Sequence, residues 1–354
     1  MSLKFHTVQI AAIRPLTDDA VEITFDIPEA NRAAFTYEAG QYLTLKTVIN
    51  GEEIRRSYSL CSAPHEGNYK VGIKRVPNGI FSNYAIDILK KGNQIEVMPP
   101  AGNFMYVPTV DAKNHIVLIA AGSGITPMLS IAKTILTSEP NSNVTLFFGN
   151  RGFSSVMFAE ELEQLKNKYL TRFRLFHVFS QESQGIPVQK GRIDAKRLAE
   201  LYAAFLSHDQ IDAVYLCGPE EMILTGKAFF EEKGLNSSQI HFELFHSGKA
   251  AKAQEAAALT ASTCQVDLII DDDVISFEMD AKDKNLLEAA QRAGADVPFA
   301  CKGGVCCTCK AKILEGEASM FVNYALEAEE VKQGYVLTCQ AIPTTEKITI
   351  SFDE

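Results

Sequence analysis

The sequence has no excess of positive charge. Its 354 residues carry 34 lysines and arginines against 44 aspartates and glutamates, a formal net charge of −10. A nucleic-acid binder shows a basic stripe or patch, so that class of partner is set aside. No stretch approaches about 18 consecutive apolar residues, and no membrane-spanning helix is expected. The opening residues, MSLKFHTVQIAAIRP, lack the apolar core of a secretory leader. A cytoplasmic protein is the expectation. There is no internal repeat, no Ser-His-Asp set and no paired carboxylates of the kind that hydrolytic chemistry needs. What remains is an ordinary globular composition, 46% hydrophobic and 22% charged, with length for two or three domains at about 100–200 residues each.

Residues 1–108 read as β-rich. In DAVEITFDIP, Val21, Ile23, Phe25 and Ile27 alternate inward with the period of two of a half-buried strand. GQYLTLKTVINGEEIRRSYSL puts Tyr42, Leu43 and Leu45 on a strand that ends at Asn50-Gly51, a hairpin signal. NYKVGIKRV and NQIEVMPP add short strands, and the Gly/Pro punctuation suggests a small β-barrel. Residues 109–246 change character. HIVLIAAG, NVTLFFGN, FRLFHVFS and DAVYLCGP are apolar strands alternating with helical stretches, the pattern of a doubly wound parallel α/β sheet, with DAVYLCGP its last strand. Residues 247–262 are Ala-rich and read as a linker. Residues 263–354 read as a small α+β domain. It begins with two strands about a turn, then a helix capped near Asp283 with Leu286, Leu287, Ala290 and Ala293 on one face.

PFACKGGVCCTCKAKILEG, residues 298–316, holds Cys301, Cys306, Cys307 and Cys309. In a reducing compartment such a cluster points to metal or redox chemistry rather than disulfides. Cys301, Cys306 and Cys309 are spaced C-x4-C-x2-C, and Cys339 follows in GYVLTCQ, the spacing of plant-type 2Fe–2S clusters. A tight loop with Gly303 and Gly304 turns backbone N–H groups toward sulfur. It lets three thiolates reach two irons from one side, and a distant fourth closes the site. A zinc site or buried free thiols are the alternatives, but zinc more often uses paired C-x2-C knuckles and only one is present. Cys307 matches no ligand position and reads as a bystander that makes the loop more prone to oxidation.

Residues 263–354 resemble a plant-type ferredoxin domain, which implies a β-grasp fold. CKGGVCCTCKAKILEGEASMFVNYALEAEEVKQGYVLTCQ is especially similar to the ferredoxin domain of phenylacetyl-CoA ring-epoxidase reductase subunits, where the position of Cys307 is more usually Gly. RRSYSLCSAP carries the R-x-Y-S pattern of the ferredoxin-NADP reductase superfamily. That resemblance implies Arg56 at the flavin phosphate, Tyr58 flat on the isoalloxazine and Ser59 near the reactive N5. In VGIKRVPNGIFSNYA, Gly79 and Ser82 form a G-x-x-S turn where a helix N-terminus can hold a pyrophosphate, with Lys74 on the strand before it. A pyrophosphate turn favours FAD over FMN. LIAAGSGITPMLSI supplies Gly122, Gly124, Thr126 and Pro127 in the superfamily's G-x-G-x-x-P form, a turn that presents N–H groups to a diphosphate. By resemblance, Cys217, Gly218 and Pro219 lie beside the nicotinamide. Glu243 and Phe245 in FELF match the family's terminal Glu-x-aromatic, Phe245 shielding the flavin. Ser59, Cys217 and Glu243 are the candidates for catalytic roles.

The strand NVTLFFGN runs into Arg151 with no acid until Glu160, and FRLFHVFS ends at Ser180 with Gln181 after it. An acid at the ribose favours NAD and a nearby Arg suits a 2′-phosphate. NADPH is therefore expected, with NADH possible and Gln181 a departure from the Ser-Arg of many NADP-dependent relatives. Together the resemblance implies an oxidoreductase. It would pass electrons from NADPH through FAD to a 2Fe–2S cluster, and on to the oxygenase component of a multicomponent aromatic-CoA monooxygenase. A reductase for a steroid or another aromatic hydroxylase, or for a hybrid-cluster protein, shares the architecture. An iron–sulfur redox sensor is the reading from a different class, though a sensor has no use for both the nucleotide turn and Cys-Gly-Pro.

Overall fold

The computed structural model describes residues 4–245, 263–280 and 282–354, so the stretch 247–262 read as a linker lies outside the described residues. Six strands come first: β1 (His6–Thr17), β2 (Ala20–Asp26), β3 (Tyr42–Ile49), β4 (Glu52–Ser59), β5 (Tyr69–Lys74) and β6 (Gln94–Val97), with helix α1 (Ile80–Asp87) between the last two. They form an antiparallel sheet in the order β4-β3-β6-β1-β2-β5. An antiparallel bridge from Leu60 to Val71 brings its two edges together and closes the barrel. Val21, Ile23, Phe25 and Ile27 are buried as their alternation requires. Asn50 and Gly51 both take positive φ, 53° and 84°, in the turn that joins β3 to β4. Strand β1 was not legible in the sequence. Register shifts at Ile10/Ala12 and Pro15/Thr17 break its alternation.

The second unit alternates β7 (His115–Ala121), α2 (Ile125–Ser138), β8 (Asn143–Asn150), α3 (Ala159–Lys168), β9 (Phe173–Phe179), α4 (Ala195–Phe205), β10 (Ala213–Cys217), α5 (Glu220–Glu232) and β11 (Ile240–Glu243). Its parallel sheet has the order β11-β10-β7-β8-β9. The expectation that DAVYLCGP ends this sheet is corrected, because β11 pairs beyond it. That strand is short and half polar, so it gave no apolar run. The chain order reverses between β7 and β10, and ligands of open α/β sheets bind at that crevice. Gly122–Gly124 follows β7, and Cys217-Gly218-Pro219 follows β10. A Cβ at Gly124 would overlap the Cys217 carbonyl, so only glycine lets these two turns touch.

The third unit contains β12 (Cys264–Ile270), β13 (Asp273–Met279), α6 (Leu286–Arg292), β14 (Lys310–Glu315), β15 (Ala318–Met320), α7 (Ala328–Lys332), β16 (Tyr335–Leu337), β17 (Ala341–Pro343) and β18 (Lys347–Ser351). The main sheet runs β13-β12-β18-β14-β16, and β15 pairs with β17. Helix α6 buries Leu286, Leu287 and Ala290 against this sheet's core. Its N-cap is Asn285, whose side chain accepts the Glu288 N–H at 3.0 Å. Asp283 instead takes two bonds from Arg292, at 2.9 and 2.7 Å. Ala293 falls past the last helical residue and is exposed. Among the described residues, no helix is long and apolar enough to cross a membrane.

The units are packed together. A Cβ at Gly72 of β5 would sit 2.8 Å from the Thr126 methyl and 2.9 Å from the Phe158 ring, so glycine lets barrel and α2 meet. Ser130 donates to the Ser62 carbonyl at 2.6 Å across the same seam. The third unit rests on both others. Asn103 donates to Glu330 at 2.8 Å, Tyr324 donates to Glu220 at 3.0 Å, and Val305 and Tyr324 pack on the α/β core. Arg55 of β4 is only 6% exposed. It donates to Glu53 (2.7 Å), Asp296 (3.2 Å) and the Val297 carbonyl (3.4 Å), and lies 4.2 Å from the Phe299 ring centroid. A buried guanidinium holds its partners because leaving it unpaired is costly. Arg55→Ala should weaken this docking by about 2 kcal/mol and enlarge the radius of gyration in solution scattering. An unchanged radius would show that other contacts suffice.

Candidate active site

One cavity of about 540 Å³ is lined by Arg56 and Ser59 of β4, Glu243 and Phe245 at the end of β11, and the cysteine loop at Cys301 and Cys306. The three candidates for catalytic roles, Ser59, Cys217 and Glu243, meet where the barrel touches the α/β unit. Glu243 lies opposite Cys217 in the β10–β11 pairing. Ser59 Oγ donates to Glu243 Oε2 at 2.9 Å. Burial pushes the Glu243 carboxyl up to about 8, against a smaller opposing pull from the Ser59 bond. It is therefore protonated at neutral pH. Cys217 is fully buried, and burial followed by the nearby Glu243 pushes its thiol well above the ordinary range. Such a thiol is a small neutral wall and a poor nucleophile.

Arg56 is exposed, donates to the Arg55 carbonyl at 2.7 Å and makes no ion pair among the described residues. Tyr58 packs on Phe81 with ring centroids 5.5 Å apart, and burial raises its phenol above the usual range. Gly79 is the N-cap of α1. Ser82 is buried at this turn. Its Oγ accepts the Val76 N–H at 3.1 Å and closes the turn, leaving first-turn N–H groups of α1 as anion donors. Lys74 is paired with Asp19 at 3.7 Å.

On the nucleotide side, Thr126 donates to the Ser123 carbonyl at 3.0 Å and buries its methyl at the Gly72 seam, with Pro127 buried beside it in the first turn of α2. Both residues shape the turn. A second cavity, about 500 Å³, lies past the ends of β8 and β9, lined by Arg151, Ser155, Gln181, Asp18, Asp19 and Glu182 among others. Arg151 is exposed and makes no ion pair among the described residues. The Ser180 hydroxyl turns back to the Asn150 carbonyl at 3.3 Å. Asp18 and Asp19 reach this cavity from the β1–β2 turn of the barrel, which no local spacing in the sequence indicates.

In the cysteine loop, Cys301 and Cys306 stand with sulfurs 3.1 Å apart, and Cys309 is hydrogen-bonded to Cys339. The Gly303 N–H donates to Cys301 Sγ at 3.3 Å. The Cys306 bond and the N–H groups of Gly303, Val305 and Cys306 hold Cys301 below the usual thiol range. Gly304 takes φ 72°, and a Cβ there would lie 2.9 Å from the Val322 carbonyl. Cys307 is separate from these pairs. It donates to the Ala325 carbonyl at 3.2 Å, and burial pushes its pKa up to about 12. Cys307 is half-buried, and oxidation follows thiolate character and exposure together.

Three residues went unrecognised as site components: Tyr42, Arg55 and Thr308. Tyr42 reads as a plain inward strand residue, yet its hydroxyl shares a hydrogen bond with Thr308 Oγ1 at 3.1 Å, across the seam with the cysteine loop. Arg55 carried a usable signal. Adjacent arginines on a strand point to opposite faces, so one of Arg55 and Arg56 had to face inward and find partners.

Residues 7–106 match the family model of an oxidoreductase FAD-binding domain, residues 118–227 that of an oxidoreductase NAD-binding domain, and residues 268–344 that of a 2Fe-2S iron-sulfur cluster binding domain. The chain is 40% identical over 349 residues to a subunit of the 1,2-phenylacetyl-CoA epoxidase of Escherichia coli (strain K12), covering 99% of this chain and 98% of that protein. It is 33% identical over 354 residues to the ferredoxin reductase component of 3-ketosteroid-9-alpha-monooxygenase of Rhodococcus rhodochrous, covering 97% and 95%. Among solved structures, phthalate dioxygenase reductase shares the fold with a TM-score of 0.59 at 24% identity, covering 98% of both chains. The chain belongs to the same family as that 1,2-phenylacetyl-CoA epoxidase component, a family of oxidoreductases that join FAD-binding, NAD-binding and 2Fe–2S domains.

Proposed function

We propose that this chain is the electron-transfer reductase of a multicomponent oxygenase acting on an aromatic coenzyme A thioester. The observation that carries the reading is the shared cavity, in which the residues expected at a flavin and the cysteine loop face each other. The donor chemistry fits the cofactors. The unpaired Arg56 and the first turn of α1 suit a pyrophosphate, and two pairs of thiols suit two irons. FAD, when bound, accepts a hydride from reduced nicotinamide and releases electrons singly to the 2Fe–2S cluster.

The residues of the chain bind, orient and shield. Arg56, Gly79 and α1 hold the flavin phosphates, and Tyr58 covers the ring. Burial keeps a proton on the Glu243 carboxyl, and the Ser59 hydroxyl, donating to Oε2, holds that carboxyl beside the nicotinamide position framed by Cys217, Gly218, Pro219 and Phe245. Gly122 and Gly124 open the turn to the nucleotide diphosphate, and Arg151 faces the 2′-phosphate of NADPH. Cys301, Cys306, Cys309 and Cys339 ligate the cluster. Domain limits of 1–108, 109–246 and 263–354 are supported by where the three sheets begin and end. All eight cysteines are free, which suits a cytoplasmic location. Residues 263–354 hold 17 acids against 8 Lys and Arg, −9 of the net −10, which supports docking on a basic face of an oxygenase. The steroid relative favours a second reading with a different oxygenase. Reconstitution with each class of oxygenase decides between them.

Anaerobic addition of NADPH should bleach the flavin and give the rhombic EPR signal of a reduced 2Fe–2S cluster. Flavin reduction without that signal would remove the cluster as the outlet.

Arg151→Ala should lower kcat/KM for NADPH by about tenfold and leave NADH little changed, since one charge-assisted contact is lost. A wild-type preference for NADH would refute the role of Arg151.

Glu243→Gln should slow NADPH-driven dye reduction by about 100-fold and abolish a pH step near 8. Its folded pKa of about 8 lies above the ordinary 4.5, so protonation favours the folded state. This stabilisation is complete below about 4.5 and is lost as pH rises to about 8, a slope that Glu243→Gln should remove from thermal unfolding curves.

A further inference from the structure

Strand β8 runs into Arg151 without an acid, yet the cavity at its end holds acids from elsewhere in the chain. The α/β unit lines it with Arg151, Ser155, Gln181 and Glu182 among others. The barrel lines it with Asp18 and Asp19, the two residues of the turn between β1 and β2. A volume of about 500 Å³ is that of a small-molecule site. Packing holds the turn in place. Leu16 packs on the core of the α/β unit, and Arg14 of β1 pairs both with Glu161 of α3 and, at 3.3 Å, with Glu22 of β2.

Of the three carboxylates that line the cavity, two are committed. Glu182 accepts the Phe153 N–H at 2.8 Å. Asp19 accepts from the Thr17 hydroxyl at 2.8 Å and is paired with Lys74 at 3.7 Å. Asp18 is exposed and makes no hydrogen bond or ion pair among the described residues. Arg151 makes no ion pair among them either. The cavity therefore presents an uncommitted anion from one unit and an uncommitted cation from another. A carboxylate is an acceptor of hydroxyl hydrogens, and a guanidinium is a donor to an anion. The adenosine ribose of a nicotinamide dinucleotide comes in both matching forms. An acid takes its free hydroxyls in NADH, and an Arg takes the 2′-phosphate of NADPH.

We propose that Asp18, a residue of the FAD-binding barrel, is a specificity-determining residue for the nicotinamide nucleotide, its carboxylate accepting from the ribose hydroxyls of NADH and opposing the 2′-phosphate of NADPH. Asp18 and Arg151 work against each other. The carboxylate repels the phosphate that the guanidinium attracts, and only the diol form of the ribose can donate to the carboxylate. Selection between the two nucleotides is thus set across the seam of two units, the barrel favouring NADH and the α/β unit NADPH. This rests on the reading of the Arg151 cavity as the adenosine end of the nucleotide site.

The test is calorimetric titration of the full-length, cofactor-loaded protein with two adenosine fragments, 2′,5′-ADP standing for NADPH and 5′-AMP for NADH. Dye-reduction kinetics with the whole nucleotides follow. Asp18→Asn keeps the size of the side chain and removes its charge. It should tighten 2′,5′-ADP and weaken 5′-AMP, moving the affinity ratio by about tenfold toward 2′,5′-ADP, the worth of one charge-assisted contact. The kcat/KM ratio should move the same way, toward NADPH. Asp18→Glu, which keeps the charge, should keep the wild-type ratio. An unchanged ratio in Asp18→Asn overturns the proposal. So does an equal change for both fragments, which would mark a structural effect, and so does an Asp18→Glu ratio equal to that of Asp18→Asn. Should Asp18→Asn lose its flavin, Asp18→Ser, a residue suited to turns, takes its place with the same outcomes. Should the fragments bind too weakly to measure, the kcat/KM ratio decides by the same outcomes. Arg151→Ala separates the proposal from the reading beneath it. It should weaken 2′,5′-ADP and spare 5′-AMP. If it moves neither fragment nor either nucleotide, the cavity is not the adenosine site, and the proposal falls with that reading.

Discussion

The contact between strands β3–β4 and the cysteine loop is the constraint on which the rest depends, and a buried guanidinium carries its charge. Arg55 reaches Asp296, the Val297 carbonyl and the face of Phe299 from within the barrel wall. A cation so placed is stabilising only while those partners are present, so it fixes where the third unit can sit. That position brings Cys301 and Cys306 to the cavity that Arg56 and Ser59 also line. Alternation along β4 links the two functions. Arg55 faces the third unit, and Arg56, one residue on, is left free on the other face.

A second constraint is backbone proximity. The turns after β7 and β10 approach so closely that Gly124 has no room for a side chain against the Cys217 carbonyl. Gly72 does the same between the barrel and α2. The first shapes the crevice of the parallel sheet and the second seats that sheet on the barrel, where Glu243 lies 2.9 Å from Ser59 although 184 residues separate them. Burial at that junction then raises the Glu243 pKa, a property of the assembled units that neither sheet has alone.

The sequence by itself determined the unit types, the turns and the thiol spacing, because these follow from local rules. Period-two alternation in β2, the Asn50-Gly51 hairpin, the apolar strands β7 and β8 and the C-x4-C-x2-C loop all depend on neighbours within a few residues. Where local patterns were interrupted, the reading failed. Bulges hid β1 and a short half-polar segment hid β11. The tertiary structure alone decided which partner each candidate side chain has within the chain. Ser82 and Lys74 are engaged in their own turn and ion pair, Ser180 folds back on the chain, and Cys307 is withdrawn from the thiol pairs. It also decided which residues meet across units: Tyr42 with Thr308, Arg55 with Asp296, Ser59 with Glu243, and Asp18 and Asp19 with the Arg151 cavity. Such meetings depend on how separately folded surfaces fit, and residue spacing along one chain carries no record of that.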